Sequence, residues 1–247
     1  MKNCVLLLGI LVSLVSCKTF DSIKSNKSQG DNNPTPPSGP SPKFLELCNQ
    51  STDTAIRHTV DVIIEVVGKG ADTSIPNTAD VTTANAGNSK DLCAVTASRL
   101  TGLAGLSLAH NQIVDLSPLE GLTKISWLNL GFNSIVDLTP LAGLTSLTRL
   151  ELGGNKISNL APLAESASRM LFLDLNSNGI VDVTSLKGFT STTELYLGKN
   201  KIVNAAPLAG LSNLKKLDLE DNPIVKSDSE ACPRSSLNSK LNAFCSL

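Results

Sequence analysis

The stretch ISWLNLGFNSI at residues 125–135 decides the fold, because it recurs as LTRLELGGNKI at residues 147–157 and in four further copies. Each copy has leucines five and three residues before an asparagine, and an isoleucine two residues after it. Six copies at nearly constant spacing indicate a repeat architecture, in which units that cannot bury their apolar side alone stack into one continuous core. The asparagines, separated by 22, 22, 23, 22 and 22 residues, are Asn111, Asn133, Asn155, Asn178, Asn200 and Asn222.

The pattern within one copy predicts where its side chains point. The two leucines are two residues apart, so both face the same side of a short strand. The asparagine amide can bond backbone groups of its own coil and of the next coil, forming a ladder. The return segment, Asp115–Leu122 in the first copy, carries a proline that presets a short helical turn. We therefore predict an α/β solenoid with a parallel β-sheet on the concave face and short 3₁₀ or helical turns on the convex face.

The phrase Asn-x-Ile-x-Asp-Leu-x-Pro-Leu-x-x-Leu-Thr-x-Leu resembles the leucine-rich repeats of internalins and related bacterial surface proteins. The resemblance covers about Leu100 to Pro223, half of the chain, and it implies a leucine-rich repeat domain that binds a partner. Three departures occur near the third and fourth copies: Ser185 replaces a proline, Thr192 replaces an apolar residue, and one residue is inserted before Met170. They predict looser packing or a slight kink there.

Both open ends of a solenoid need a cap. We assign residues 44–99 to an N-terminal cap region, residues 100–225 to the repeats and residues 226–247 to a C-terminal cap, closed by Ser236–Phe244. Residues 70–90 are small and polar and predict a long loop. An amphipathic helix is predicted over about Asp53–Val67, with a β-strand through Val60–Ile64 as the alternative, because apolar residues recur there at helical spacing: Ile56, Val60, Ile63, Ile64 and Val67.

The N-terminus has the features of an export signal, with a charged start followed by a short apolar stretch over residues 4–16. Its ending, Leu14-Val15-Ser16-Cys17, resembles the lipobox of bacterial lipoproteins, in which cleavage precedes the cysteine and the cysteine is acylated. The resemblance implies a signal peptide at residues 1–16, lipid attachment at Cys17 and, with Lys18 next, an outer-membrane or cell-surface location. An ordinary cleavage site beside a chance cysteine is the alternative. Residues 17–43, rich in Ser, Asn, Gly and Pro, predict a disordered tether.

Four further cysteines, Cys48, Cys93, Cys232 and Cys245, allow three pairings. Six strands stacked at about 4.8 Å hold the two caps more than about 20 Å apart, whereas bridged Cα atoms lie within about 7 Å. We therefore predict disulfides within each cap, Cys48–Cys93 and Cys232–Cys245, which agrees with export to an oxidising compartment. A zinc site is the rival interpretation, but no CxxC motif or histidine accompanies these cysteines.

The composition argues against catalysis and against nucleic-acid binding. The 21 basic and 22 acidic residues leave no basic footprint, and two histidines, His58 and His110, offer few means for acid–base chemistry. Gly105–Ala109 superficially echoes a nucleophile elbow, but the repeat explains its leucines. We expect no enzyme, cofactor or metal. A column of short polar residues could form a calcium ladder, although capping of the turns is the preferred interpretation: Asp115, Asp137, Asn159, Asp182 and Asn204.

Side chains that flank the paired leucines must point to solvent on the concave face. The sole Trp, the sole Tyr and two of the six Phe fall on these positions. Exposed aromatics bordered by arginine and acids are typical of a protein-docking surface, although they could instead fill gaps between neighbours. A passive structural or assembly role, and hydrolysis of an envelope polymer, are the alternative functions. We predict that a monomeric domain binds an unknown protein through Trp127, Asn129, Phe132, Arg149, Glu151, Phe172, Asp174, Glu194, Tyr196, Lys216 and Asp218.

Overall fold

The computed structural model describes residues 43–68, 89–225, 227–232 and 238–245. The predicted signal peptide, the predicted lipid-attachment site Cys17 and nearly all of the predicted tether lie outside these ranges, as does most of the predicted loop at residues 70–90. In the described ranges, none of the helices has the length and apolar character to cross a membrane.

One six-stranded sheet runs along the solenoid, and its strands follow chain order from β1 to β6. Every neighbouring pair is parallel, and the central leucines pair from Leu106 with Leu128 through to Leu195 with Leu217. This in-register stack is the parallel sheet that the repeat predicts. The strands are β1 (Gly105–Ser107), β2 (Trp127–Asn129), β3 (Arg149–Glu151), β4 (Phe172–Asp174), β5 (Glu194–Tyr196) and β6 (Lys216–Asp218).

Short 3₁₀ turns return the chain between strands, as the proline positions predict. The Asp115 carboxylate accepts a hydrogen bond from the Ser117 backbone N–H at 2.7 Å, and the equivalent residue of the next four coils makes the same bond. These side chains therefore cap the turns. Within the described ranges, no group of three His, Cys, Asp or Glu side chains is arranged to hold a metal ion. The turns are Ser117–Leu119, Thr139–Leu141, Ala161–Ser166, Thr184–Gly188 and Ala206–Leu208.

The asparagine ladder is present and connects neighbouring coils. Asn155 accepts from the Ile135 backbone N–H at 3.0 Å and donates to the carbonyls of Leu130 and Leu152 at 3.0 and 2.9 Å. Asn133, Asn178, Asn200 and Asn222 make the equivalent three bonds. Because these amides satisfy backbone groups of two coils at once, they hold the turns of the stack together where no sheet pairing does.

The prediction of looser packing near the third and fourth coils is wrong. The inserted residue is absorbed by the longer 3₁₀ turn Ala161–Ser166, and the register continues unbroken from Leu150 through Leu173. Thr192 is fully buried at 0% exposure, and its hydroxyl donates to the Met170 carbonyl at 2.9 Å. A hydrogen bond therefore compensates the polar group that replaces an apolar one.

The N-terminal cap region is helical, with α1 (Lys43–Gln50), α2 (Thr54–Ile63) and α3 (Ser89–Leu100), and a π turn over Ile64–Gly68 follows α2. Asp53 caps α2 by accepting from two backbone N–H groups of the first turn. The predicted cap helix is confirmed, and the β-strand alternative is wrong. Helices α1 and α3 were not predicted, and α3 begins inside the predicted loop at residues 70–90.

Each end of the described fold carries one disulfide. Cys48 of α1 is bonded to Cys93 of α3, with Cα atoms 6.0 Å apart, and Cys232 is bonded to Cys245 of α4 (Ser239–Cys245), with Cα atoms 5.6 Å apart. These are the two pairs that the sequence predicts. Each joins segments that lack a strand partner, so it stabilises an end of the stack where the repeat stops.

Candidate functional site

In-register pairing turns the outward side chains of the sheet into rows that run across the coils. What we call the first row lies at the strand starts, and the second row lies two residues later on each strand. Ten of the eleven predicted binding residues lie in these rows, which the structure therefore brings onto one face. The first row is Trp127, Arg149, Phe172, Glu194 and Lys216, and the second row is Asn129, Glu151, Asp174, Tyr196 and Asp218.

The centre of this face is a connected network of aromatic and charged groups. The Arg149 guanidinium lies 3.7 Å from the centroid of the Phe172 ring, and its Nε donates to Glu151 Oε1 at 2.8 Å. The Trp127 indole N–H donates to the same carboxylate oxygen at 3.2 Å. The rings of Phe172 and Tyr196 have centroids 5.4 Å apart. The aromatics fill gaps between their neighbours, as the alternative interpretation predicts, and they remain partly exposed to solvent.

The network ends in an ion pair at the last two strands. Lys216 Nζ lies 3.1 Å from Glu194 Oε2, and the Tyr196 hydroxyl donates to the same oxygen at 2.8 Å. The hydrogen bonds from Tyr196 and then Lys216 lower the pKa of Glu194, whereas burial, followed by the bond to Glu194, raises the pKa of Tyr196. Glu194 is therefore ionised and Tyr196 is a neutral donor at physiological pH.

Asp174 differs from the other carboxylates of the face because it is half-buried. Its Oδ1 accepts from the Asn176 backbone N–H at 2.9 Å. Burial raises the pKa of Asp174, and the charges of Glu151 and Asp218 act in the same direction. The hydrogen bond from the Asn176 N–H and the charge of Arg149 act against them. This carboxylate is therefore the acid on the face whose charge is least well solvated.

The residue before each ladder asparagine has a left-handed backbone, with φ between 54° and 71° in all six coils. In the second coil this residue is Phe132, whose side chain is 62% exposed and stacks on His110 of the first coil, with centroids 4.5 Å apart and planes 9° from parallel. In the third coil it is Gly154, where a Cβ would lie 2.8 Å from the Phe132 ring. The other five coils hold residues with a Cβ in this backbone conformation, so the contact with the Phe132 ring is what favours glycine at position 154.

A depression of about 220 Å³ lies where the strands β2, β3 and β4 end, and we call it the strand-end pocket. The Phe132 ring and His110 form one side, and Asn129, Glu151 and Asp174 form the other. The sequence predicts Phe132 on this face and predicts no role for His110 there. Their common position, one residue before a ladder asparagine, is the signal that could have predicted the stack.

A second exposed feature, also missed from the sequence, is a row of valines on the flank of the solenoid. The residue after each ladder isoleucine is valine in five coils and Ser158 in the third. We call these valines the flank row, and each is about half exposed: Val114, Val136, Val181, Val203 and Val225. Their fixed register would have allowed the prediction.

Comparison with known proteins shows which families and structures this chain is similar to. A family model described as leucine-rich repeats, two copies, matches residues 125–165, and no curated protein matches the sequence. Two internalins of Listeria monocytogenes are similar at 32% identity: inlF over 59% of this chain and 48% of that chain (TM-score 0.48), and inlC2 over 70% and 89% (TM-score 0.49).

A leucine-rich repeat protein of Leptospira interrogans is 25% identical over 58% of this chain and 39% of that chain, with a TM-score of 0.51. The chain therefore spans about half the length of the inlF structure and a smaller share of the Leptospira protein. It spans most of the inlC2 structure. The matched family model, the register of the six strands and the asparagine ladder together identify the chain as a leucine-rich repeat protein with internalins among its structural neighbours.

Proposed function

We propose that this chain is a noncatalytic binding module of the bacterial envelope that recognises a protein partner through its concave face. The observation that carries the proposal is the network of Trp127, Glu151, Arg149 and Phe172, extended by Tyr196. Tryptophan, tyrosine and arginine are the residue types that dominate binding energy at protein interfaces. Because their neighbours already hold them in place, less side-chain entropy is lost on binding.

The breadth of the face also fits a protein better than a small ligand. The two rows cross five strands, which at about 4.8 Å per strand span about 20 Å. Aromatic, cationic and anionic groups alternate along that span, as in the mixed composition of a protein interface. Leucine-rich repeats commonly serve as protein-interaction modules, and the matched family model belongs to no enzyme family.

We also propose that the domain is attached to the outer membrane or cell surface by acyl chains on Cys17. The sequence Leu14-Val15-Ser16-Cys17, which resembles a lipobox, supports this attachment. Each buried CH₂ contributes about 0.8 kcal/mol to membrane binding, so several chains anchor a protein stably. Labelling of cells with tritiated palmitate should mark the wild-type protein and not Cys17→Ser, and label retained by that variant would contradict the anchor.

A crosslinking experiment tests the concave face directly. A photoreactive residue at position 127 should capture one partner in intact cells, and the additional substitutions F172A/Y196A should abolish capture. The matched control places the photoreactive residue at position 203 of the flank row, where no capture of that partner is expected. Failure to capture any partner from position 127, or unchanged capture with F172A/Y196A, would refute binding through this face.

A binding test on the purified domain complements the crosslink. The triple variant W127A/F172A/Y196A should lose the captured partner and still unfold cooperatively, because the three side chains lie outside the buried core. The matched control, V136A/V181A/V203A, removes three exposed apolar side chains from another face and should bind normally.

A passive structural or assembly role is the second candidate, and the flank row is the observation that favours it. An exposed apolar row marks an interaction surface, and a row repeated in register can meet the same row of a second copy. If V136A/V181A/V203A dissociates a wild-type oligomer in sedimentation experiments, assembly is the function to pursue. A wild-type monomer would rule this role out.

A further inference from the structure

The strand-end pocket contains a carboxylate, Asp174, that makes no direct ion pair, although the charge of Arg149 acts on it. On the same face, Glu151 has Arg149 at 2.8 Å and Glu194 has Lys216 at 3.1 Å. Among the ion pairs of residues 43–68 and 89–225, none includes Asp174. The Asp174 carboxylate accepts a hydrogen bond from the Asn176 backbone N–H. A half-buried carboxylate that makes no direct ion pair can bind a cationic group of a partner.

The fold holds Phe132, on the aromatic side of the pocket, in a left-handed backbone conformation that a residue with a Cβ does not favour. Phe132 has φ 55°, which costs a residue with a Cβ about 1–2 kcal/mol relative to the right-handed region. The equivalent residues of the other coils are Gly154 or polar: His110, Ser177, Lys199 and Asp221. The Phe132 ring is 62% exposed and buries little apolar surface, so core packing does not explain it.

Two glycines keep the floor of the pocket open. A Cβ at Gly153 would lie 3.2 Å from both carboxylate oxygens of Asp174, and a Cβ at Gly131 would lie 3.3 Å from the Asn129 side-chain oxygen. Any larger residue would therefore push these polar side chains into the pocket. The space of about 220 Å³ is below the roughly 300–1,000 Å³ of sites for small organic ligands, and it suits a single inserted side chain.

We infer that the strand-end pocket receives an arginine side chain of the partner protein, with its guanidinium against the part of the Phe132 ring that His110 leaves exposed and its N–H groups on the Asp174 carboxylate. The inference rests on the proposed function and specifies the chemistry of the partner. A guanidinium stacks on an aromatic face and donates a planar fork to a carboxylate. The surface already shows this preference once, because Arg149 lies over Phe172 and donates to Glu151.

The electrostatics of the pocket agree with a cationic occupant. Burial raises the pKa of Asp174, and the charges of Glu151 and Asp218 act in the same direction. The hydrogen bond from Asn176 and the charge of Arg149 oppose this rise and do not cancel it, so the ionised form is under-stabilised in the free protein. A bound guanidinium favours the ionised form, and binding should therefore strengthen as the pH rises through the pKa of Asp174. The net charge of −1 for the whole chain makes unspecific attraction of a polycation weak.

Fluorescence anisotropy with labelled hexa-arginine and hexalysine peptides tests the inference on the full chain. Hexa-arginine should bind more tightly than hexalysine, and D174N and F132G should each weaken hexa-arginine binding at least tenfold. D174N retains the acceptor for the Asn176 N–H, and F132G suits the left-handed backbone, so both variants should fold. The matched control E165Q removes one exposed carboxylate outside the pocket and should leave binding unchanged.

Three results would overturn the inference: no binding of hexa-arginine, equal binding of hexalysine, or equal binding by D174N and the wild type. The partner captured from position 127 separates this inference from the proposed function. If D174N and F132G leave that capture and its affinity unchanged, the arginine pocket is refuted and the binding face stands. If position 127 captures nothing while hexa-arginine binds selectively, the proposed function is refuted at that face and the pocket stands.

Discussion

The two faces of the sheet differ in how regularly their residues repeat, although these residues alternate along the same strands. On the inner side, Leu150 and its counterparts recur in every coil, and Leu150 is fully buried. On the concave side, the neighbouring positions hold Arg149 and Glu151 in one coil and Phe172 and Asp174 in the next. Repetition at a fixed position therefore marks what the stack needs, and variation at a fixed position marks what is left for a partner.

The polar contacts of the two sides differ in the same way. The ladder amides bond backbone groups that water does not reach, so their loss leaves buried groups unpaired. The concave contacts join side chains that are exposed or half-exposed, and exposed ion pairs contribute about 0–1 kcal/mol. We therefore expect stability to depend on the leucine side and binding to depend on the concave side. Two predictions on stability test that division, and a third compares it with a turn cap that lies on neither side of the sheet.

The largest contrast should separate two adjacent residues. L150A should lower the free energy of unfolding by about 2–5 kcal/mol, because it removes a fully buried side chain and leaves a cavity. R149A should lower it by less than about 1 kcal/mol, because it removes an exposed ion pair. Urea denaturation followed by circular dichroism measures both. Similar losses for the two variants would contradict the division between the two sides.

The next contrast compares two asparagines. N155A removes three hydrogen bonds to backbone groups of Ile135, Leu130 and Leu152, and it should cost about 1–3 kcal/mol. N129A removes the bond from the Gly131 N–H at a half-exposed site and should cost about 1 kcal/mol or less. Hydrogen exchange adds a local measurement, since the Ile135 amide should exchange faster in N155A. An unchanged Ile135 amide would mean that the ladder does not stabilise the turn.

The smallest effect should be a change in the pH dependence of stability. The Thr139 hydroxyl and backbone N–H donate to Asp137 at 2.6 and 2.8 Å, and these bonds lower the pKa of Asp137. Because the folded pKa lies below the unfolded value, Asp137 stabilises the fold above about pH 4 and loses that contribution as the pH falls.

D137N should therefore be slightly less stable than the wild type at pH 7, and the difference should shrink below about pH 4. Thermal denaturation from pH 7 to pH 3 measures it. Asn159 and Asn204 occupy the equivalent position in two other coils and accept the same backbone bond, so the variant should fold. A difference that is constant across this pH range would show that the charge of Asp137 does not contribute.

Several parts of the molecule follow from local pattern and could be predicted. The 22-residue period implies the strands and turns, and the spacing of Ile56, Val60 and Ile63 implies the cap helix. The disulfide pairs follow from the distance between the two ends. The short helix α1 and the helix α3 could not be predicted in this way, because α3 has a weak amphipathic pattern and both depend on packing and on the Cys48–Cys93 bond.

The concave face shows the same limit. Register alone predicts that Trp127, Arg149 and Phe172 share one row, since parallel pairing without slippage places equivalent positions side by side. It does not predict that Arg149 lies over Phe172, or that Asp174 is half-buried. Those arrangements depend on rotamers and on the glycines that let side chains approach.

By itself, the amino-acid sequence determined the coil, its repetition and the side on which each residue lies, because a periodic pattern allows one way of burying its leucines and asparagines. Only the tertiary structure decided which exposed side chains touch. The stack of His110 on Phe132 and the pocket beside Asp174 join residues of different coils. Contacts across coils depend on the curvature and rotamers of the assembled stack, which no single repeat contains.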